Sequence, residues 1–180
     1  KEDCVQELFY GTDYHSHLGT SRGGMVVLGK KGFTRAIHNI ENDQFRSKFE
    51  GDLHKMSGTM GIGCISDTEA QPLIIRSHLG HYALSTVGRI NNIDALVEHA
   101  FVNQTMHFLE MGGGGINPTE LVAALIDRGT SFVDGIRRAQ EVIDGSCSML
   151  LLAPEGIYAI RDRFGRTPII IGEREGAYCA

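Results

Sequence analysis

The sequence lacks the features that mark several specialised classes of protein. Its four cysteines lie far apart and form no Cys-x-x-Cys pair, which gives no support for a zinc or iron–sulfur site built from neighbouring ligands. No apolar run reaches the roughly 18 residues that a membrane-spanning helix needs. No internal repeat and no long linker is visible, so the pattern predicts a single domain over residues 1–180.

Positive charge is also scarce. The chain has 17 lysines and arginines against 22 aspartates and glutamates. Its net charge of -5 argues against a nucleic-acid or anionic-membrane binder, whose affinity depends on basic surface. The first residues are charged and lack the apolar core of a secretory signal. Without such a signal, the cysteines are predicted to be reduced thiols in a cytoplasmic protein.

What the chain does contain suits an α+β domain. Hydrophobic residues make up 42% of it and charged residues 22%, which provides apolar material for a sizeable core. Its 23 glycines predict many tight turns between short strands. Predicted strands cluster at both ends of the chain and predicted helices in the middle, rather than alternating as in a doubly wound fold. This order predicts two stacked, mostly antiparallel sheets with helices outside.

Hydrophobic periodicity locates the individual elements. Phe45, Phe49, Leu53 and Met56 recur every three or four residues, which predicts an amphipathic helix. Runs of apolar and β-branched residues between glycines predict strands. The helices are predicted over 43–56, 93–104, from 117 onward and 132–143, and the strands over 5–10, 25–28, 33–40, 59–64, 72–76, 82–87, 146–153, 156–161, 168–172 and from 177 onward.

The most informative segment is 161–168, which reads Arg-Asp-Arg-Phe-Gly-Arg-Thr-Pro and joins two predicted strands. It follows Cys4 by about one domain length. A turn of this kind after a leading cysteine resembles class II glutamine amidotransferases, which are N-terminal nucleophile hydrolases. Further segments resemble, in the expected order, the glutaminase domain of the amidophosphoribosyltransferase family of purine biosynthesis. They are 2–4, 17–24, 61–63, 70–72, 82–92, 118–120 and 144–153.

The resemblance covers nearly the whole chain and implies a four-layer αββα sandwich. The family's phosphoribosyltransferase domain is absent from residues 1–180, so the resemblance implies either a stand-alone relative or the N-terminal piece of a longer protein, with a transferase domain or subunit as a possible partner. It implies glutamine or another small amino acid as the ligand, with no cofactor and no metal. Nucleic acid and membranes are not expected partners.

The resemblance also assigns candidate catalytic groups. Class II glutaminases attack the side-chain amide of glutamine with an N-terminal cysteine whose own α-amine is the general base. On this basis Cys4 is the candidate nucleophile and the backbone N–H of Gly88 is a candidate oxyanion donor. Three residues precede Cys4 in this sequence, so its nitrogen is an amide, which is not a base.

Several groups with which the family holds glutamine are replaced here. Val87 stands at the position of the asparagine of the oxyanion hole, and loss of one such donor typically costs about 2.7–4 kcal/mol of barrier. Pro118 stands where an aspartate meets the α-amino group. Residues 63–72 contain no arginine, the side chain that binds a carboxylate through two parallel hydrogen bonds. The resemblance with these substitutions predicts a degenerate glutaminase site.

Two alternatives stay open. The first is an active amidotransferase in which residues 1–3 are removed, Cys4 is the nucleophile, and Arg22 or Arg76 replaces the carboxylate clamp. The second is a non-catalytic ligand-sensing or interaction module, which fold alone cannot assign. Without catalysis, Cys4 is a small apolar residue of the first predicted strand.

The remaining motifs predict structure rather than chemistry. His15 and His17 have no third spaced ligand, which favours a solvated loop over a metal site. Arg161 and Asp162 are predicted to be a charged pair that fixes its turn. The four glycines at 112–115 lack the pattern of a phosphate loop and predict a flexible segment, with a mobile flap as the functional alternative.

Overall fold

The computed structural model describes residues 2–19, 21–102, 111–112 and 115–180. Within these ranges, helices α1–α5 comprise Val5–His15, Phe45–Phe49, Ile93–Val102, Pro118–Ile126 and Phe132–Val142. Short 3-10 helices follow α1 and α2, at Ser16–Leu18 and Glu50–Lys55. Strands β1–β11 comprise Arg22–Gly29, Gly32–Asn39, Met60–Ser66, Leu73–Ser77, Gly80–Ile90, Met111–Gly112, Gly115–Ile116, Gly145–Ala153, Gly156–Ile160, Gly172–Arg174 and Ala177–Cys179.

Two antiparallel sheets form the centre of the domain. The first has the strand order β2-β1-β3 and the second the order β4-β5-β8-β9. Two small hairpins, β6-β7 and β10-β11, lie apart from them. Neighbouring strands of each main sheet are joined partly by short turns and partly by long excursions that carry the helices, such as the one from β5 to β8.

The two sheets pack face to face. Val26 of β1 is completely buried against Ala83 and Leu152 of the four-stranded sheet. Because successive side chains of a strand point to opposite faces, Met25 and Val27 face the other side of the three-stranded sheet. There they are buried beneath α1 and α2, whose contributing side chains are Val5, Phe9, Phe45 and Phe49.

Helices α4 and α5 cover the outer face of the four-stranded sheet. Tyr82 and Leu84 of β5 and Leu151 of β8 are completely buried on this face. The helices bury against them Leu121, Val122, Leu125, Ile126, Phe132, Ile136 and Ala139. The order of layers is therefore helix, sheet, sheet, helix, and the predicted four-layer αββα sandwich is confirmed.

The prediction of a strand over 5–10 is wrong, because these residues open helix α1. Val5, Phe9 and Thr12 are the buried residues of α1, and this spacing of three to four residues is that of a helix. A six-residue window was too short to separate it from a strand. Asp3 also favours the helix, because its side-chain oxygen accepts a hydrogen bond from the first helical N–H, that of Val5, at 2.9 Å.

The strand predicted over 168–172 is also displaced, since β10 begins at Gly172. Ile170 is 80% exposed and Ile171 is 70% exposed, so this apolar run does not enter a sheet core. The helices predicted at 43–56 and 132–143 are present, the first as α2 followed by a 3-10 turn. Positions 103–104 of the helix predicted over 93–104 lie outside the described residues, as do Gly113 and Gly114 of the predicted flexible segment.

In the described ranges no helix combines the length and apolar character needed to cross a membrane.

Candidate functional site

The end of strand β5 carries the first candidate group, the N–H of Gly88. Gly88 has a φ of +144 and pairs with Cys147 of β8. A Cβ at this position would lie 2.1 Å from the carbonyl oxygen of Ser146, so both the backbone angle and the space require glycine. Val87 beside it is 56% exposed and has no side-chain donor, and Gly88 and Arg89 are exposed as well.

A network of polar side chains lies next to this strand end, and we call it the Gln71 network. The side-chain oxygen of Gln71 accepts hydrogen bonds from the N–H of Thr86 at 2.7 Å and the hydroxyl of Ser85 at 3.1 Å. Its amide nitrogen donates to Glu69 at 3.0 Å. The Gln71 network therefore ties the segment before β4 to the end of β5.

Helix α4 closes the network from the other side. The hydroxyl of Thr119, which is completely buried, donates to Glu69 at 3.2 Å and lies 2.6 Å from the hydroxyl of Thr86. Asn117 caps the helix by accepting from the N–H groups of Thr119 and Glu120. Pro118 at the first helical position fits because it has no N–H to satisfy, as predicted. The polar side chains in this corner therefore hydrogen-bond to one another.

A second cysteine lies at this network. The Cys64 sulfur is 3.9 Å from the side-chain oxygen of Gln71 and 3.5 Å from the carbonyl oxygen of Ile65. Burial raises the pKa of Cys64, against a smaller lowering by the hydrogen bond with Ser85. The thiol is therefore protonated at neutral pH and acts as a small, partly buried side chain.

Cys4 lies in a different part of the fold. It occupies the N-cap position of helix α1 without a side-chain hydrogen bond to the helix, and its N–H donates to the carbonyl oxygen of Gly58 at 2.8 Å. It packs in the cluster between α1 and the three-stranded sheet. Burial, followed by the charge of Asp3, raises the pKa of its thiol to about 11. At neutral pH roughly one molecule in ten thousand would carry the thiolate, which is the nucleophilic form.

The structure does not bring Cys4 and Gly88 together. The N–H of Cys4 bonds to Gly58, two residues before β3 begins at Met60, whereas the Gln71 network lies beside Cys64, four residues into that strand. At about 3.3 Å per residue this separates the two regions by roughly 13 Å along the strand. Cys4 is also in the outer helical layer, while Gly88 belongs to the other sheet.

Asp3, the residue immediately before Cys4, is held in place by hydrogen bonds. One oxygen of the Asp3 carboxylate accepts from the N–H of Gly58 at 2.9 Å and from the hydroxyl of Ser57 at 2.8 Å. Hydrogen bonds from Val5, Ser57 and Gly58 lower the pKa of Asp3 in spite of its partial burial. Asp3 is therefore part of the structure that orients α1.

The two candidate arginines have different surroundings. Arg22 begins β1, two residues before Gly24, whose backbone touches that of Gln71. Arg76 is exposed on β4 opposite His81, at the other end of β5 from Gly88. That stretch of β5 spans roughly 20 Å, so of the two only Arg22 lies near the Gln71 network.

Asp162 alone fixes the turn that the sequence assigned to an Arg161–Asp162 pair. Its buried carboxylate accepts from the backbone N–H groups of Phe164 at 2.8 Å, Arg166 at 2.9 Å and Thr167 at 3.1 Å. Arg161 is exposed and has no ion pair among the described residues. The prediction of an Arg161–Asp162 pair is therefore wrong, because backbone N–H groups, and not the Arg161 guanidinium, bind the Asp162 carboxylate.

This turn predicts a pH effect on stability. Burial raises the pKa of Asp162, but the hydrogen bonds from Thr167, Phe164 and Arg166 outweigh it, so the pKa is lowered. A carboxyl whose pKa is lower in the folded state stabilises the protein above its unfolded pKa of about 3.9 and loses that contribution as the pH falls through the folded value. We expect Asp162→Asn to lower stability at pH 7 and to make unfolding less pH-dependent below about pH 4.

Urea unfolding at a series of pH values measures both effects. Asp144→Asn, at an exposed carboxylate in the turn before β8, is the control and should change the free energy of unfolding by less than about 0.5 kcal/mol at pH 7. An Asp162→Asn variant as stable as the parent at pH 7 would contradict the assignment.

The histidines near the N-terminus take part in local contacts. His17 shares a hydrogen bond of 2.7 Å between its Nδ1 atom and the carbonyl oxygen of Tyr14, and neighbouring Asp13 pairs with Arg46 at 2.6 Å. Among the described residues no group of three or more histidine, cysteine, aspartate or glutamate side chains is arranged to hold a metal ion.

Sequence reasoning missed the Gln71 network. Glu69 and Thr119 are far apart in the sequence, and no local pattern connects them. The only signals were indirect: Gln71 lies beside Pro72 at the start of a predicted strand, and Thr119 lies in a helix-opening segment.

The architecture is that of a glutamine amidotransferase-like domain of the N-terminal nucleophile type. The chain is similar to amidophosphoribosyltransferases: it is 26% identical to the one from Synechocystis sp. over 97% of this chain and 36% of that protein. It is 25% identical to the one from Methanocaldococcus jannaschii, over 96% of this chain and 38% of that protein. No family model matches the sequence.

Solved structures agree with this assignment. The glutamine phosphoribosylpyrophosphate amidotransferase of B. subtilis, complexed with ADP and GMP, superposes with a TM-score of 0.84 at 25% identity. The match covers 98% of this chain and 39% of that one. A structure described as the allosteric regulatory enzyme of purine biosynthesis shares the fold, with a TM-score of 0.70 at 24% identity. The chain thus spans less than half the length of these relatives.

Proposed function

We propose that this domain keeps the amidotransferase framework but does not hydrolyse glutamine through Cys4. The observation that carries the proposal is the separation of Cys4 from Gly88 by a layer of the sandwich and by several residues along β3. Attack on an amide requires the sulfur to lie about 3–3.5 Å from the carbonyl carbon while a donor lies about 3 Å from its oxygen. One amide cannot meet both groups across this separation.

The electrostatic setting of Cys4 supports the same proposal. The nitrogen of Cys4 is a peptide amide because Asp3 precedes it, and its N–H donates to the carbonyl oxygen of Gly58. The pKa of about 11 leaves very little thiolate at neutral pH, and its largest cause is burial, with the charge of Asp3 adding to it. Activated cysteines have the opposite environment, with a base or a positive charge next to the sulfur.

The corner near Gly88 offers little to hold an amino acid. Val87 has no donor for an oxyanion, and Pro118 has no carboxylate for an ammonium group. Glu69 and Thr119 already hydrogen-bond to each other and to the rest of the Gln71 network. Of the two candidate clamps, Arg22 and Arg76, Arg22 is the nearer to this corner, and glutamine or another small amino acid stays the expected ligand class if any amino acid binds.

The chain is similar to amidophosphoribosyltransferases and to an enzyme of purine biosynthesis. We therefore propose that the domain acts in purine biosynthesis beside a transferase domain or subunit. Its role there would be structural or regulatory rather than as a source of ammonia. The 180 residues would act as one domain. The cysteines in the described ranges are free thiols, which supports a reducing compartment, the cytoplasm.

Ammonia release from glutamine tests the catalytic part of the proposal. We expect no ammonia above the enzyme-free rate, for the parent and for Cys4→Ala alike, in an assay coupled to glutamate dehydrogenase. Loss of one oxyanion donor alone lowers the rate about 100- to 1,000-fold, and here the nucleophile is displaced as well. The intact fold of each sample is checked by thermal unfolding.

The two ways of failing are distinct. Ammonia release that Cys4→Ala abolishes would support the active alternative, with Cys4 as nucleophile. Release that Cys4→Ala leaves unchanged would mean that another group attacks the amide. For the ligand-sensing alternative, a thermal shift with glutamine that Arg22→Ala removes and Arg76→Ala keeps would show an amino-acid site at the Gln71 network.

A further inference from the structure

Strand β9 is an unprotected edge of the four-stranded sheet. Among the described residues it pairs only with β8. A free edge can pair with a further strand, and proteins usually prevent this with a charged side chain, a proline or a bulge. The sequence of β9, Gly-Ile-Tyr-Ala-Ile, has neither a charge nor a proline, whereas β4 at the opposite edge carries the exposed Arg76.

The hairpin that joins β8 to β9 shows which backbone groups of β9 are free. Its loop consists of residues 154–155, and Ala153 lies opposite Gly156. Residues that flank a two-residue loop form a hydrogen-bonded pair, and such pairs alternate with non-bonded ones along an antiparallel ladder. Every second residue from Gly156 onward therefore bonds to β8, and the N–H and C=O groups of Ile157 and Ala159 point away from the sheet.

Helix α5 runs beside β9 in the same direction. The ring centre of Phe132, at the start of α5, lies 5.9 Å from that of Tyr158, in the middle of β9. Further along, the side chain of Gln140 donates to the carbonyl oxygen of Arg161, just after the strand, at 3.1 Å. The exposed Val133 thus lies near the middle of β9. A second copy related by a two-fold axis at this point would cover both Val133 side chains, which is favourable.

The charges at the two ends of β9 have opposite sign. Glu155 precedes the strand, while Arg161 and Arg163 follow it, and all three are exposed. Arg137 and Glu141 of α5 line an open groove together with Arg163, so one carboxylate offsets one of the arginines at this end. The edge therefore begins acidic and ends with a positive charge.

This order of charges favours a second copy of the chain as the partner of β9. In an antiparallel two-fold pair the start of each strand lies beside the end of the other, so each Glu155 would meet Arg161 and Arg163 of the other copy. A head-to-tail chain in which β9 pairs with β4 would bring those arginines near Arg76, because β4 contains no carboxylate. A uniformly acidic or basic strand of another protein would be repelled at one end.

We propose that two copies of this chain pair through β9, antiparallel and about a two-fold axis at Tyr158. Ile157 of each copy lies opposite Ala159 of the other, and the free N–H and C=O groups of both residues hydrogen-bond across the axis. Glu155 lies opposite Arg161, and the two four-stranded sheets continue as one. The interface is separate from the Gln71 network and does not depend on whether the domain hydrolyses glutamine.

Sedimentation velocity over about 1–100 µM protein tests the proposal. Because two short strands bury a small interface, we expect a monomer–dimer equilibrium with a dissociation constant on the order of 10 µM. Ile157→Pro should abolish the dimer, since proline has no N–H to donate but is tolerated at the outer side of an edge strand.

Ile74→Pro is the matched control and should leave the dimer unchanged. Ile74 lies in edge strand β4 and is 40% exposed, against 42% for Ile157. By the same hairpin rule its N–H also points away from the sheet, because Ser77 and Gly80 flank a two-residue loop. Thermal unfolding checks that each variant is folded.

A charge swap tests the direction of pairing. Glu155→Arg alone, and Arg161→Glu with Arg163→Glu, should each weaken the dimer by about tenfold or more, since like charges then meet. Mixed in equal amounts, these two variants should form a heterodimer about as stable as the parent dimer, because each new charge then faces its opposite.

Three results would overturn the proposal: a parent chain that is monomeric at about 100 µM, a dimer that Ile157→Pro leaves intact, or charge variants that do not associate when mixed. Assemblies larger than a dimer would also contradict it, because a two-fold pair at one edge is closed.

Discussion

We expect Gly24→Ala to lower the free energy of unfolding by about 3 kcal/mol or more, among the largest effects of any single substitution in this domain. Strand β1 passes so close to the segment before β4 that a Cβ on Gly24 would lie 1.6 Å from the carbonyl oxygen of Gln71. It would also lie 2.7 Å from the carbonyl carbon. Both are backbone atoms, which cannot rotate away as a side chain can.

The clash would spread into the Gln71 network. The side chain of Gln71 bonds to the N–H of Thr86 and to Ser85, so its backbone can move only if these hydrogen bonds lengthen. We therefore expect the amide of Thr86 to exchange faster in the Gly24→Ala variant. Urea unfolding gives the stability, and amide exchange followed by NMR gives the local effect.

Gly11→Ala is the matched control. Gly11 lies in helix α1, and a Cβ there would meet no atom within 4 Å. Because alanine favours a helix over glycine, we expect this variant to be more stable than the parent by about 0.5–1 kcal/mol. Similar effects of the two substitutions would show that the close approach of β1 to Gln71 does not exist in solution.

Local periodicity explains which elements the sequence predicted. The helix at α2 was recognisable because Phe45 and Phe49 begin a series of apolar residues at helical spacing that continues to Met56. Strand β8 was recognisable as an apolar run between a glycine turn and a proline turn. Each signal lies within one element: the helix shows a period of 3.6, and the strand is recognised from the short length of its apolar run and the turn residues on both sides.

The errors have the opposite character. At 5–10 the apolar pattern was read over too few residues, and the deciding features, Thr12 on the buried face and Asp3 before the helix, lay outside the window. Because Cys4 was then assigned to a strand, its real place at a helix start, far from Gly88, was not foreseen. The resemblance selected Cys4 by its residue type and position in the sequence, but it could not show in which layer of the sandwich Cys4 lies.

The pairing of distant segments was beyond any local pattern. Glu69 meets Thr119, and β5 pairs with β8, only because the sheets and helices pack as they do. The order of segments, compared with a known family, did predict the four layers. It could not show that the polar groups at the end of β5 bond to one another, because that depends on distances of a few tenths of an ångström.

The second large effect is expected at Tyr82, whose side chain is completely buried under α4 and α5. Its ring contacts that of Phe132 edge-on, with centroids 5.2 Å apart, and its hydroxyl donates to the carboxylate of Asp127 at 3.0 Å. Burial, followed by the charge of Asp127, raises the pKa of Tyr82, so the hydroxyl keeps its proton and acts as a donor. Packing and hydrogen bonding can therefore be separated by two substitutions.

Tyr82→Ala should lower the free energy of unfolding by about 4 kcal/mol, because it leaves a cavity between the sheet and both helices. Tyr82→Phe should cost about 1 kcal/mol, since it removes only the hydrogen bond and water can still reach the half-buried Asp127. Tyr14→Ala is the control: its ring is 74% exposed, and we expect a change of less than about 0.5 kcal/mol. Urea unfolding measures all three variants. A Tyr82→Phe variant as unstable as Tyr82→Ala would mean that the hydrogen bond, and not the ring, holds α4 to the sheet.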